Sequence, residues 1–526
     1  MNFIVNILTV LKMVLIKKLL WEPLIKKTRN PKKAQNDLLL KILKQNRDTQ
    51  FGRDYKFSDI SCYNDFMATV PINQYEALRE YIEKQDAEKI PYLNTEQPIM
   101  YAQTSGSTGK PKYIPVLNST ISDYRNSQHI MAYSIYASIK GVYKGKILAV
   151  VSPATEGFTN EGTPYGSMSG LIYNSMPALM RSKYVIPAKI FEIEDYEKKY
   201  YEMTLHAMTE KNITMIATAN PSTLVKIEQI MAQNIEQLLL DVAIKNNHRA
   251  QELKNIIANK GSLIFADIWP QLKAVVTWTG GSCGAQIPKL KNKFPEITRI
   301  VELGYLSSEF RGGLTLDAKQ NKQIPALHEN FYEFVEKDDW ENNKHNFKTL
   351  EFLEKNKQYY IFATTQNGLY RYDINDLIQV TGKINETPTI EFVQKGKGVT
   401  NLTGEKLYEN QVIQAMSSMF DSQGIELQFF IMLGCSEDLQ YTLYIEHELI
   451  NTFDIDQQLS NLNIEFEGKL LSGRLKPIKI KYIKADTGEV YKKHCINSGQ
   501  REGQYKLSYL QYKHRCLFNF DEYLRE

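Results

Sequence analysis

The stretch QTSGSTGKPK, residues 103–112, sets two glycines, four hydroxyl side chains and two lysines in ten positions. Glycine and serine tracts are commonly solvated linkers. Here the flanks are PIMYA and YIPVL, apolar runs of strand-forming residues, so the loop is tied between packed elements. The segment NSTISDYRNSQHIMAYSIYASI that follows has helical spacing, with Ser119 or Thr120 expected as its cap. The loop is not the familiar nucleotide-binding motif. Counting back from Gly109-Lys110 puts Thr104 where the first glycine belongs, and Pro111 stands where a magnesium-binding hydroxyl belongs. Ser105, Ser107 and Thr108 still offer hydroxyl donors to a phosphate, and Lys110 and Lys112 offer charge. An exposed basic turn without chemistry fits the same ten residues.

Outward from this loop, short β-rich runs alternate with helical ones. KILAVVS, ITMIATA, LKAVVTW and RIVEL read as strands; PSTLVKIEQIM and GAQIPKLKNKF read as helices between them. The alternation predicts an α/β architecture with buried sheets flanked by helices, and ligands at the loops leaving the strands. Near KGKGVTNLTGEK, residues 395–406, three glycines and three lysines interrupt the order. Beyond it ENQVIQAMSSMF reads as a helix, and LQFFIML and LQYTLYIEHEL as strands. The expected organisation is an N-terminal segment 1–33, a large domain 34–395, and a small mobile α+β lid domain 396–526. From Glu467 to Arg515 that small domain holds twelve basic and four acidic side chains, a bias suited to an anionic substrate or to a solvated face.

Composition narrows the function classes. The 526 residues carry a net charge of +4, which gives no support to nucleic-acid binding. Residues 1–33, however, hold eight Lys or Arg against the single Glu22. Their apolar run FIVNILTVLKMVLI is interrupted by Asn6 and Lys12, is shorter than the roughly 20 residues of a membrane span, and lacks a signal-peptide cleavage site. It reads either as a helix packed on the body or as an amphipathic helix on anionic lipid. Cys62, Cys283, Cys435, Cys495 and Cys516 are odd in number and widely spaced, and neither they nor the eight histidines show a metal-ligand spacing. A cytoplasmic monomer is the expectation.

Four more stretches bear on the loop: TANPSTL (218–224), TWTGGSCG (277–284), LGYLSSE (303–309) and GLYRYDINDLIQVTG (368–382). Together they supply glycine turns for close approach, an aromatic for stacking, a glutamate for magnesium and an aspartate able to accept ribose hydroxyls. With TSGSTGKPK and the preceding FSDISCYNDFMATVPINQYEALREYI, the chain resembles the adenylate-forming superfamily of acyl-CoA synthetases and luciferases. Within it, the chain resembles the auxin-responsive acyl acid amido synthetases of plants and their bacterial relatives over nearly its whole length.

The resemblance implies ATP and Mg²⁺ as cofactors, and a small carboxylic acid and an amino acid as partners. It implies that Thr104, Ser105, Ser107 and Thr108 lie by the ATP phosphates with Lys112, and that Gly281, Ser282, Ser307, Ser308 and Lys397 line the nucleotide site. Tyr305 is then expected beside the adenine, Glu309 on magnesium, and Tyr124 and Arg125 on the side of the acid. The superfamily's ribose motif is Y-x-x-G-D; Tyr372–Asp376 reads Y-D-I-N-D, so Asp376 is the implied ribose ligand and Asn375 replaces glycine, a change Asn tolerates because it visits left-handed backbone. The lid lysine is expected at Lys506 in GQYKLSYL, with Lys513 in LQYKHRC as its rival. The implied activity joins an acid to an amino acid through an acyl-adenylate. A ligase using a thiol acceptor, and a catalytically retired nucleotide- or lipid-binding relative, are the competing readings.

Overall fold

The four runs read as buried strands become Lys146–Ala149, Ile213–Ala217, Ala274–Thr277 and Arg299–Glu302 in the computed structural model. It describes residues 2–104, 112–284, 287–396, 398–400, 402, 405, 407–422, 424, 426, 429–435, 437–446, 454–471, 475–498, 502 and 505–525. These strands lie in chain order as one parallel sheet. Every residue of Ala274–Thr277 is buried, as expected of a parallel strand covered on both faces. The chain passes between strands through helices that include Tyr196–Thr209, Ser222–Gln233 and Asn247–Lys260. The architecture is the α/β class read from the alternation.

Two further sheets complete this part. Met100–Thr104 pairs antiparallel with Lys112–Val116, and on its other side parallel with Pro164–Gly166. A six-stranded sheet runs in the order Asn330–Glu336, Gln358–Thr365, Tyr372–Ile384, Thr387–Lys395, Lys322–Pro325, Gly313–Asp317.

The helix after the loop spans Asn118–Ser138, and its start corrects the expected cap. Leu117, not Ser119 or Thr120, is the N-cap; Thr120 sits a turn inside, where its hydroxyl accepts from the Leu117 N–H at 2.9 Å. A polar cap side chain is dispensable because Glu96 reaches in from outside the helix. Its carboxylate accepts from the amides of Asn118 (2.7 Å) and Ser119 (3.3 Å), a favourable place for negative charge.

The N-terminal segment is one helical rod, Asn2–Ile16, a π-turn over Lys17–Trp21, and Glu22–Lys27. Pro23 explains the widened turn: it has no N–H to return to the preceding turn, and the Glu22 amide bonds instead to the Lys17 carbonyl. Met13, Ile16 and Leu24 are buried, and Trp21 packs on Tyr133 of the Asn118–Ser138 helix at 5.1 Å between ring centroids. No described helix is long and apolar enough to cross a membrane.

The described chain divides into two compact units: residues 1–279, 292–374 and 378–391, and residues 280–291, 375–377 and 392–526. The second contains a four-stranded sheet ordered Lys476–Tyr482, Gln440–Ile445, Phe430–Cys435, Leu510–Tyr512. Strand periodicity divides its side chains between two cores. Phe430 and Met432 enter one with Met416, Met419 and Leu459; Ile431 and Leu433 enter the other with Tyr491, Phe518 and Phe520. Glu405, wholly buried, accepts from the Tyr441 hydroxyl (2.5 Å) and the Leu402 amide (2.6 Å), which anchors the end of the lysine–glycine segment in this unit.

Candidate functional site

Ser105, Ser107 and Thr108 of the loop lie outside the described residues, as do Lys397 and the side chains of Thr104 and Ser282. What is described is the loop's stem. Thr104 and Lys112 are cross-strand partners, so the two ends of the loop are held side by side. The Lys112 ammonium lies 3.4 Å from the Tyr372 hydroxyl and 5.8 Å from the centre of the Tyr75 ring.

YLSSE belongs to a tight turn between Arg299–Glu302 and Gly313–Asp317. The Tyr305 carbonyl accepts from the amides of Gly312 (2.9 Å) and Gly313 (2.7 Å), while the Tyr305 amide donates to Gln323 Oε1 at 2.7 Å. Gly312 is needed here, because a Cβ on it would stand 2.1 Å from the Tyr305 ring. Ser307 is a staple of the turn: its hydroxyl donates to the Phe310 carbonyl (3.1 Å) and accepts from the Phe310 amide (3.2 Å). Tyr305 is buried against Phe310, and Ser308 is half-buried. Glu309 is buried, and among the described residues its carboxylate has no ion-pair partner.

Asn367 joins this turn to the stem of the loop. Its amide donates to the Pro115 carbonyl at 3.0 Å and the Glu309 carbonyl at 3.4 Å, and its own carbonyl accepts from Asn94 at 2.8 Å. The neighbouring Gln366 donates to Asp123 at 2.5 Å on the helix that follows the loop. Thus three stretches named from the sequence converge on one Gln-Asn pair. Glu302, at the end of its strand, holds the other side: its carboxylate accepts from the amides of Thr279 and Gly304, both at 2.8 Å. Burial raises its pKa from the usual carboxylate range.

On the helix after the loop, Arg125 is exposed and donates to the Ser175 hydroxyl at 2.6 Å. Tyr124 instead carries Arg311 over its ring, 4.7 Å from the centroid. Arg311 is 3% exposed, and among the described residues its Nε and Nη1 have no hydrogen-bond partner. Beside it lies a buried polar group: the Ser127 hydroxyl donates to Glu329 and lies 3.0 Å from His328 Nε2. Burial pushes the Glu329 carboxyl up to about 7 and holds the His328 imidazole down at about 3, with Arg311 lowering both.

The remaining candidates belong to the second unit. Asp376 is buried. Asn375 stands at φ 56°, the left-handed conformation its glycine-replacing position requires, and its carbonyl accepts from the Gly396 amide at 2.8 Å. Asp373, in the first unit, accepts from Gln74 at 3.4 Å. Gly281 also has positive φ, 56°, and a Cβ on it would approach the Phe392 ring to 3.0 Å. The same ring has the Lys506 ammonium 5.6 Å from its centre. Phe392 therefore lies between the glycine turn and Lys506. Lys513 is exposed in the short turn after Leu510–Tyr512.

Sequence reading passed over Arg311, Asn367, Glu302 and Phe392. Each is adjacent to a named motif, but its role depends on chain segments far away in sequence. The one available signal was Glu302 following the apolar pair Ile300-Val301 at the end of a strand.

Three family models cover most of the chain: the GH3 family N-terminal domain over residues 22–299, the central domain over 324–395 and the C-terminal domain over 410–521. The chain belongs to the GH3 family. Among similar GH3 proteins of Arabidopsis thaliana, indole-3-acetic acid-amido synthetase GH3.4 is 22% identical over 91% of this chain and 89% of its own length. The 4-substituted benzoates-glutamate ligase GH3.12 is 21% identical over 91% and 92%. The solved GH3.15 acyl acid amido synthetase superposes with a TM-score of 0.83 at 19% identity, covering 96% of this chain and 95% of that one. A 2-hydroxyisobutyryl-CoA ligase in the postadenylation state with 2-HIB-AMP gives a TM-score of 0.58 at 11% identity over 93% and 92%. These two likenesses are of fold: the GH3 chain shares the α/β fold of both solved proteins over nearly its whole length.

Proposed function

We propose that this GH3 chain is an ATP-dependent acid–amino acid ligase. A carboxylate oxygen of the acid attacks the α-phosphorus of ATP, the bond to pyrophosphate breaks, and an acyl-adenylate forms. The amine of an amino acid then attacks the acyl carbon; the C–N bond forms, AMP leaves, and the nitrogen gives up its proton. The observation that carries this reading is Asn367, whose amide ties the stem of the hydroxyl-rich loop to the turn bearing Glu309. Fixed groups of this kind suit nucleotidyl transfer, which depends on position and charge rather than on a nucleophilic side chain.

Glu309 suits Mg²⁺. It is buried, and no group of three His, Cys, Asp or Glu able to hold a metal exists among the described residues. Mg²⁺ is commonly bound through one or two carboxylates with phosphates and water completing its shell. When bound, it would neutralise charge on the phosphates. Asp376 takes the ribose hydroxyls. Lys506, beside Phe392 and the Gly281 turn, is supported over Lys513 as the lid lysine. For the acid, Arg311 is a better carboxylate partner than Arg125: its buried guanidinium has hydrogen-bonding capacity left over, whereas Arg125 is exposed and engaged with Ser175.

The test is hydroxamate trapping of adenylates across a panel of acids, followed by AMP release with amino acids or with CoA as acceptor. Amine-dependent AMP release is expected; release dependent on CoA would make the chain a thiol ligase, and no adenylate with any acid would mark a retired relative. Glu309→Gln should keep ATP binding and lose most pyrophosphate exchange. Lys506→Ala should lower kcat by roughly a hundredfold or more, since it removes one preorganised contact to developing charge, while Lys513→Ala turns over nearly normally. The reverse pair of results would transfer the role to Lys513.

A further inference from the structure

The N-terminal helix turns its apolar side outward. Met13 and Ile16 are buried, yet Ile7, Leu8, Val10, Leu11, Val14, Leu15 and Leu19 are all exposed, Leu15 by 58% and Leu19 by 68%. At about 100° per residue, the six of these on Asn2–Ile16 cover a little under half the circumference of the helix as one band, and Leu19 follows in the π-turn. Lys12, half-buried, falls at one border of the band and the exposed Lys17 at the other, and Lys18 is exposed beside Leu19. A solitary exposed leucine is ordinary, but a continuous apolar face of this size on one helix is not.

We propose that this face lies on an anionic membrane surface, with the helix parallel to the bilayer plane and its lysines at the headgroups. The charge pattern selects this occupant. Residues 1–33 hold eight Lys or Arg against one Glu, within a chain whose total is +4, so the segment is far more basic than the remainder. Two copies packed face to face would bring two such basic segments together, whereas acidic headgroups complement them. Apolar side chains flanked by lysines, whose long stems let the ammonium reach the headgroups, are the pattern of a helix that lies in the interface. Spanning is excluded for the described helices by their length and apolarity. The ligase reading plays no part in this inference, and the fate of one does not decide the other.

The experiment is flotation of the full chain with vesicles of phosphatidylcholine alone and of phosphatidylcholine mixed with phosphatidylserine, at low and high salt. The expected result is flotation with the mixed vesicles, at least about tenfold weaker without phosphatidylserine, and weakening with salt. Leu11→Asp/Leu15→Asp should abolish it, Lys17→Glu/Lys18→Glu should reduce it strongly, and Ile244→Asp, an exposed apolar residue elsewhere, should leave it unchanged. The melting temperature of each variant, expected to match that of the native chain, separates lost binding from lost fold. Absence of flotation, or flotation that survives the Leu11/Leu15 change, would overturn the proposal. So would sedimentation showing a dimer that Leu11→Asp/Leu15→Asp dissociates while vesicles remain unbound, which would give the face to a second copy.

Discussion

Two buried arginines in the same unit are handled in opposite ways. Arg371, 4% exposed, is saturated: it contacts both oxygens of Glu333 at 2.8–3.1 Å, donates to the carbonyls of Met67 (3.0 Å) and Val70 (2.8 Å), and lies 4.6 Å over the Phe347 ring. Arg311, 3% exposed, has a similar aromatic contact through Tyr124, but its Nε and Nη1 have no hydrogen-bond partner among the described residues. A buried charge is tolerable when its donors are all used, and costly otherwise. The saturated arginine fixes the backbone of the GLYRY turn, where Arg371 itself holds a left-handed φ of 45°. The other has hydrogen-bonding capacity unused among the described residues, which is why it is proposed above as the partner of the acid. Composition and burial alone would not tell these two residues apart; their hydrogen bonds do.

The sharpest way to break this contrast is to remove Arg371. Arg371→Ala leaves the buried Glu333 carboxyl without its cation and, among the described residues, with the Tyr63 hydroxyl at 3.0 Å as its side-chain partner, and should cost about 3–5 kcal/mol of stability. Chemical denaturation checks it. A loss under about 1 kcal/mol, the ordinary yield of an exposed pair, would show that the pair does little for the fold.

Arg311→Met tests the other side. Replacing an incompletely satisfied cation with an apolar side chain of comparable length should leave the melting temperature unchanged or raise it. The same change should raise the KM for the acid by roughly tenfold to a hundredfold, from the loss of charge-assisted hydrogen bonds worth about 1.5–3 kcal/mol, with the KM for ATP unaltered. A variant that melts early and binds its acid normally would make Arg311 a second Arg371.

The contrast also marks how far sequence reading reaches. All four strands of the parallel sheet were legible, because a buried strand is a local pattern of apolar residues whatever it packs against. The left-handed Asn375 was legible for the same reason: the motif demanded a conformation, and few residues supply it. The helix start at Leu117 was not, since its polar partner, Glu96, lies more than twenty positions upstream. Arg125 and Arg311 were indistinguishable as letters, and the family resemblance pointed to Arg125 on the helix after the loop. What separates them is which one ends in the interior, and that depends on the fold of Tyr305–Gly313 onto the Asn118–Ser138 helix.

The buried group beside Arg311 supplies a subtler probe. Burial holds the Glu329 carboxyl at about 7, above the ordinary 4.5, so the folded state favours its protonated form. That contribution is complete below about pH 4.5 and is lost as pH rises through 7. His328 runs the other way: held at about 3 against an ordinary 6.5, it is neutral in the folded state, and its contribution is complete above about pH 6.5 and lost as pH falls toward 3. Between these limits the two slopes oppose each other. Glu329→Gln keeps a polar partner for the Ser127 hydroxyl and deletes only the first slope. The variant should therefore gain stability relative to the native chain as pH rises from 4.5 to 7, by at most about 1.4 kcal/mol per pH unit. Denaturation midpoints across that range measure it. A difference that stays flat with pH would mean that Glu329 is already ionised in the folded protein and paired with Arg311, and the contrast between the two arginines would be lost.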